Sequence, residues 1–412
     1  PDEEREACRP LRTAPAYERQ KSLGAQFGQV NGWERPNYYG PVDAPENFDT
    51  KSRSFRRGAW WKYSLEEAKA VRNDVGLIDA TAFTKHVVKG PGATNFLNWF
   101  TCNKLPKVGR INLTYALTDH GTTRTEYTIV RMAEDSYYLV SAGAWSSYDY
   151  DYLKKAAEDK MGEFGYIEIH DVTSQWGVFA IAGPKSRDLL KAVINDKDTS
   201  SALSNKIFPW LSAKKIEIGM CPVNAIRVAY TGELGWELHH PIEMQNYLFD
   251  ELFRVGADYE LKPFGIRAMD SLRLEKSYRL IPREMSIEYS ALESGLDRFV
   301  KLDKDHDFVG KNGLVDWQNK GFENSFVTLE VFGTTDADAR GSEAIYYDGN
   351  VVGRATSGGF GFRVDKSLAL GLVKPEFASL ETDLEIEILG ERYAARVVAE
   401  SPFDPENTCL RG

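Results

Sequence analysis

Four cysteines in 412 residues, Cys8, Cys102, Cys221 and Cys409, are too few and too scattered for a disulfide framework. No two of them have the C-x-x-C spacing of a zinc ribbon or thiol oxidoreductase. Long apolar runs are missing as well. Stretches such as Val178 to Ala182 are the longest, far below the ~18 residues of a membrane span. Positive charge is in deficit, with 51 Lys and Arg against 61 Asp and Glu and a net charge of −10, which argues against an extended nucleic-acid surface. There is no P-loop and no G-x-S-x-G nucleophile turn, and Gly359-Phe360-Gly361 lacks the third glycine and following helix of a dinucleotide fingerprint, so it reads as a turn. What remains is 42% hydrophobic and 27% charged residues, the balance of a globular chain with room for about two to three domains. Unpaired cysteines and acidic charge fit a reducing compartment, a bacterial cytoplasm or a mitochondrial matrix. A start at Pro1 without Met or a basic-then-apolar leader is the expectation for a processed chain or a piece of a longer one.

Composition along the chain divides it into an arm (1–58), a central α/β region (59–322) and a β-rich end (323–412). Residues 31–58 are rich in Gly, Pro and aromatics without a sustained period and read as an ordered arm or loop; its tip, Lys51 to Lys62, is basic and aromatic. Leu65, Ala68, Val71 and Val75 fit a helix opened by a capping box of Ser64 and Glu67. Runs 111–118 and 124–131 flank Asp119-His120-Gly121 and read as a hairpin; further strands are expected at 166–172, 177–182 and 223–230, with helices near 185–194, 242–255 and 265–278. Strands and helices neither alternate strictly nor segregate, so the fold class is α/β or α+β with mixed sheets. Short segments at 325–332, 343–348, 351–356, 367–373, 383–389 and 392–399 suggest a C-terminal barrel or sandwich.

Two places could carry chemistry. Strand alternation puts Arg124, Glu126 and Thr128 on one face of 124–131, offering a carboxylate able to accept a proton or stabilise a cation, or else a plain Arg124/Glu126 pair at a solvent-facing edge. In Ile226 to His240, Thr231 to Gly235 make a turn that brings Tyr230 toward Glu237. This suits a flat heterocycle, stacked on the tyrosine and bonded through an N–H/NH2 edge to the carboxylate; a packed hairpin is the structural alternative. His239 and His240 point to opposite faces, so no metal site is expected. In 265–278, Asp270 is placed to pair with Arg267 and Arg273, leaving an arginine fork for a ligand carboxylate or simply holding the helix.

These segments together resemble the glycine-cleavage T-protein (aminomethyltransferase) family, most closely the folate-binding C-terminal half of dimethylglycine and sarcosine dehydrogenases. The markers run through nearly the whole chain: Gly32-Trp33-Glu34-Arg35-Pro36; Val71 to Asp79; Tyr115, Gly121 and Glu126; Ala182-Gly183-Pro184; Tyr230 to Glu237; Gly265 to Glu275; Asp307 to Lys311; and Thr356-Ser357-Gly358. The resemblance implies two intertwined α/β domains and a C-terminal β-barrel around a tetrahydrofolate cavity. It implies one-carbon transfer yielding 5,10-methylenetetrahydrofolate, with Glu126 catalytic, at a position where the family carries an aspartate. It implies further that Tyr230, Glu237, Tyr115, Thr128 and Arg267 hold the folate. As partners it implies a small one-carbon donor and a flavin-dependent or other demethylating domain or subunit, with neither nucleic acid nor membrane. A self-contained folate-dependent demethylase, a folate-binding module without transfer activity, and RNA binding through Lys51 to Lys62 are the competing readings.

Overall fold

The computed structural model of the protein describes residues 6–44, 54–195 and 199–412. The arm is more regular than its sequence suggests. β1 (Ala25–Val30) pairs antiparallel with β2 (Trp33–Tyr39) through a two-residue turn in which Asn31 and Gly32 both take positive φ, 47° and 82°. Asn-Gly is the pair that such a turn favours, so the signal was present in the chain and was hidden by the lack of alternation in the flanking strands.

The first long helix spans Trp61–Asn73, opening three residues before Ser64, so Ser64 and Glu67 lie inside it and form no capping box. Both are buried, and Glu67 has a tertiary role instead. Its carboxyl accepts the backbone N–H groups of Tyr39 (2.5 Å) and Gly265 (2.9 Å), tying arm, helix and the start of a later helix together.

Two sheets follow. β3 (Val75–Asp79), β9 (Trp176–Ala182), β10 (Ala213–Ile218), β11 (Cys221–Ile226), β12 (Gly235–Pro241) and β13 (Leu261–Pro263) form a six-stranded sheet in the order β10-β11-β12-β9-β3-β13, antiparallel except for the β3–β13 pair. β4 (Thr84–Lys89), β5 (Ile111–Leu117), β6 (Thr123–Ala133), β7 (Ser136–Ser141) and β8 (Glu168–Asp171) form an antiparallel sheet in the order β5-β6-β7-β4-β8. Ile111, Val130, Tyr138 and Val140 from the second sheet, with Val172 just past β8, pack against Ile226 of the first, so one face of each sheet looks onto the other. Lys85 of β4 crosses this boundary. Fully buried, it donates to the carbonyls of Thr81 (2.8 Å) and of Trp176 (2.7 Å), where β9 begins.

The C-terminal strands, β14 (Ser325–Val331), β15 (Ala344–Tyr347), β16 (Asn350–Gly361), β17 (Lys366–Val373), β18 (Asp383–Ile388) and β19 (Glu391–Val398), close into a barrel in the order β14-β17-β16-β15-β18-β19. Gly359-Phe360-Gly361, expected as a turn, continues β16 and pairs with β17. The barrel is bolted to the helix Ile266–Leu274 and the loop after it. Buried Glu284 accepts the hydroxyls of Thr356 (2.7 Å) and Ser357 through one oxygen, and the Leu280 N–H (2.9 Å) and Arg273 guanidinium (3.4 Å) through the other. The architecture is mixed α/β with a closed six-stranded barrel, in line with the expected fold class.

Candidate functional site

The β5–β6 ladder pairs Tyr115 with Glu126 and Leu113 with Thr128, and β6 pairs Thr128 with Val140 of β7. Paired residues share a face, so Tyr115, Glu126 and Thr128 lie on the side that carries Val130, Tyr138 and Val140 toward the six-stranded sheet. Tyr127 and Ile129 fill the core behind them, as the alternation requires.

Among the described residues Glu126 takes no arginine partner. Arg124 turns to the aromatic rings of Tyr152 (3.7 Å) and Tyr148 (4.7 Å), which removes the edge pair considered from sequence. The hydrogen bond to Glu126 is a long one, 3.4 Å from the Tyr115 hydroxyl. Burial therefore pushes its carboxyl up to about 7, with only that hydroxyl working the other way. The Thr128 hydroxyl makes no hydrogen bond among the described residues.

Tyr230 arrives differently than the hairpin reading supposed. β11 ends at Ile226, which pairs with Glu237, and the chain from 227 to 234 leaves the ladder. Arg227 anchors the point of departure: its backbone still bonds to Ser212 and Leu211 beside β10, and its buried guanidinium donates to Asn205 Oδ1 (2.7 Å) and to the carbonyls of Phe208 (2.7 Å) and Arg411 (2.5 Å). Val228 and Tyr230 are thus loop residues. The Tyr230 hydroxyl donates to the Arg279 carbonyl at 2.7 Å, and one ring face is stacked on Tyr278 with centroids 5.5 Å apart. Its other surroundings include the charges of Arg273 and Glu126, and burial keeps its hydroxyl far above the ordinary range. Tyr115, Glu126 and Tyr230 therefore form one cluster, in which Tyr115 feels both partners electrostatically.

Glu237 sits on β12 between Ile226 of β11 and Ala180 of β9, on the face of its sheet that meets the Glu126 face of the other. Oε2 lies 3.0 Å from His239 Nε2, and His239 Nδ1 lies 3.0 Å from the Tyr138 hydroxyl. His240 points the opposite way, stacked on Phe179 in the other core. The sequence offered a signal for the Glu237–His239 contact, a two-residue spacing on a strand, but nothing local revealed Tyr138.

Arg267 lies over Trp60 at 4.5 Å and lines a pocket of about 250 Å³ with Arg35, Arg57, Trp61, Asp270 and Arg283, and Asp270 of that lining also acts electrostatically on Tyr230. Asp270 forms its ion pair with Arg273 (2.7 Å), realising one of the two pairings expected of it. Of the basic tip, 51–53 lies outside the described residues. Arg56 and Arg57 are paired with Asp336 (2.6 Å) and Asp338 (2.8 Å) beside the barrel. A larger cleft, about 900 Å³ and lined by Tyr138, Trp176 and Asn224 among others, is not lined by Glu126, Tyr230 or Glu237.

Comparison with known proteins bears on this arrangement. The family model for the GCVT N-terminal domain matches residues 16–304, and that for the glycine cleavage T-protein C-terminal barrel domain matches 324–404. Dimethylglycine dehydrogenase of Rattus norvegicus is 36% identical over 100% of this chain and 47% of its own length. The 4-methylaminobutanoate oxidase (formaldehyde-forming) of Paenarthrobacter nicotinovorans is 31% identical over 100% of this chain and 48% of its own. The chain thus spans about half the length of these two relatives. The aminomethyltransferase of Symbiobacterium thermophilum is 28% identical across 95% of this chain and 97% of its length. The crystal structure of glycine cleavage system aminomethyltransferase T from Bartonella henselae superposes with a TM-score of 0.79 at 24% identity, over 96% of this chain and 99% of that one, and shares the fold.

Proposed function

The chain belongs to the glycine cleavage T-protein family of aminomethyltransferases, and we propose that it transfers a one-carbon unit to tetrahydrofolate as the folate half of an N-methyl amine demethylating enzyme of the dimethylglycine dehydrogenase kind. The observation that carries this reading is the pair of facing sheets. One presents Glu126 with Tyr115 and Thr128, the other presents Glu237, and Tyr230 closes in from its loop.

The residues suit a reduced folate. A half-buried carboxyl with no cation beside it among the described residues, and a second carboxylate with one oxygen unengaged, are acceptors waiting for N–H groups. Bound there, the folate would supply the ring nitrogens that take up the one-carbon unit. Glu237 holds the donor edge of the pterin, since a carboxylate accepts two parallel hydrogen bonds. Tyr230 contributes its ring and not its hydroxyl, which is committed to Arg279. Glu126 accepts the proton released during transfer. An acid that ionises near neutrality suits that task, because it is basic enough to take a proton and is available unprotonated at working pH. Tyr115 orients it.

Calorimetric titration with tetrahydrofolate, followed by mass spectrometry of the product formed with formaldehyde as donor, tests the proposal. Wild type should bind and should form 5,10-methylenetetrahydrofolate faster than the uncatalysed condensation. Glu237→Ala should lose at least about tenfold in affinity, the scale of one charge-assisted hydrogen bond. Binding without accelerated product would leave a folate-binding module, and 5-methyltetrahydrofolate as product would favour a self-contained demethylase.

A further inference from the structure

Glu237 is a flexible side chain asked to present a fixed edge. Among the described residues its carboxylate has one hydrogen-bond partner, the imidazole of His239 at 3.0 Å. The chemistry of that contact fixes the state of the ring. A carboxylate only accepts, so Nε2 carries the proton; the neutral ring then has Nδ1 bare, and the Tyr138 hydroxyl, 3.0 Å away and set edge-on to the imidazole, donates to it. His239 is fully buried, and Tyr138 is itself wedged edge-on against Trp176. We propose that His239, backed by Tyr138, is a positioning residue: it pins Oε2 of Glu237 and turns Oε1 toward the ligand.

The proposal rests on the folate reading of Glu237 and adds how that carboxylate is held. Three side chains from two sheets make the chain of contacts, β7 giving Tyr138 and β12 giving the other two, so orientation of the ligand edge depends on how the sheets are seated. Among the described residues Lys85 of β4 also acts on the pair. It does not replace the histidine, because its ammonium is taken by the Thr81 and Trp176 carbonyls. Burial, opposed by the hydrogen bond and charge of Glu237, lowers the affinity of His239 for a second proton, which keeps Nδ1 an acceptor. A carboxylate oriented in advance does not have to surrender side-chain freedom when the ligand binds.

Two measurements test it. Nitrogen-15 NMR of the ligand-free protein should show His239 as the neutral tautomer protonated at Nε2; the Nδ1-protonated tautomer or the doubly protonated ring overturns the proposal without reference to folate. Tetrahydrofolate titration of variants reads the consequence. His239→Leu should weaken binding about tenfold or more, the size of effect seen when the partner that orients a binding group is removed. His239→Gln, which can place an N–H near Nε2, should restore most of it, and His239→Leu should add nothing in a Glu237→Ala background. Equal losses in the Leu and Gln variants, or losses additive with Glu237→Ala, would show a packing role and overturn the proposal. Absence of binding by wild type would instead sink the folate reading beneath it.

Discussion

A carboxyl that ionises near neutrality makes Glu126 a reporter of its own function. In the unfolded chain it titrates near the ordinary glutamate value and in the folded protein at about 7. If Glu126 takes the transferred proton, the rate of one-carbon transfer should climb as pH rises through about 7 and level off above it, and Glu126→Gln should remove that limb along with most of the activity while leaving folate affinity within a few-fold of wild type. The same shift has a stability sign. Between its unfolded and folded values the native state holds more protons than the unfolded one, so this group's contribution falls as pH rises through that window. Glu126→Gln should therefore melt higher than wild type at pH 8 and about equally at pH 4. An unchanged difference in melting temperature at the two values would refute the burial assigned to Glu126. The alternation of 124–131 was legible in the chain and put Glu126 on the right face. That Arg124 does not pair with it was not, because Arg124 is captured by Tyr148 and Tyr152, which stand more than twenty residues downstream on the helix Ser146–Phe164.

Among the elements, Glu67 shows how one side chain can bind three pieces of backbone. Its carboxyl serves N–H groups from β2 and from Gly265 ahead of the helix Ile266–Leu274, and burial, opposed by these bonds, raises it to about 8. Removing it leaves two donors without their acceptor, one of them buried, at about 1–3 kcal/mol each. Glu67→Ala should lower unfolding free energy by about 3 kcal/mol in urea titration, with Glu67→Gln losing less because one acceptor oxygen survives. A loss below about 1 kcal/mol would mean that solvent takes over the N–H groups. Lys85 makes the corresponding link between sheets, and Lys85→Met, which keeps the stem but leaves the Thr81 and Trp176 carbonyls without a donor, should cost a comparable amount. Helix existence was readable from the spacing of Leu65, Ala68 and Val71. The start at Trp61 was not, since Ser64 and Glu67 satisfy the local rule for a cap while tertiary contacts claim them.

For the whole molecule, the barrel and the α/β part are joined through Glu284, whose oxygens serve groups on both sides. Breaking a buried ion pair that also carries hydroxyl contacts is expected to be costly, about 3–5 kcal/mol. Glu284→Ala should split a single calorimetric transition into two, the barrel melting apart from the rest; one undivided transition would place the coupling elsewhere, for instance in the Glu275 and Arg363 contacts. At this scale the sequence determined the order of elements, the hairpin at Asp119 to Gly121 and the barrel strands, because each follows from periodicity and turn chemistry within a short stretch of chain. Only the tertiary structure decided that Tyr230 lies in a loop, that Arg267 lies over Trp60, and that Tyr138 stands behind His239. Those outcomes depend on which distant groups compete for each donor and acceptor once water is gone, and a local pattern carries no record of that competition.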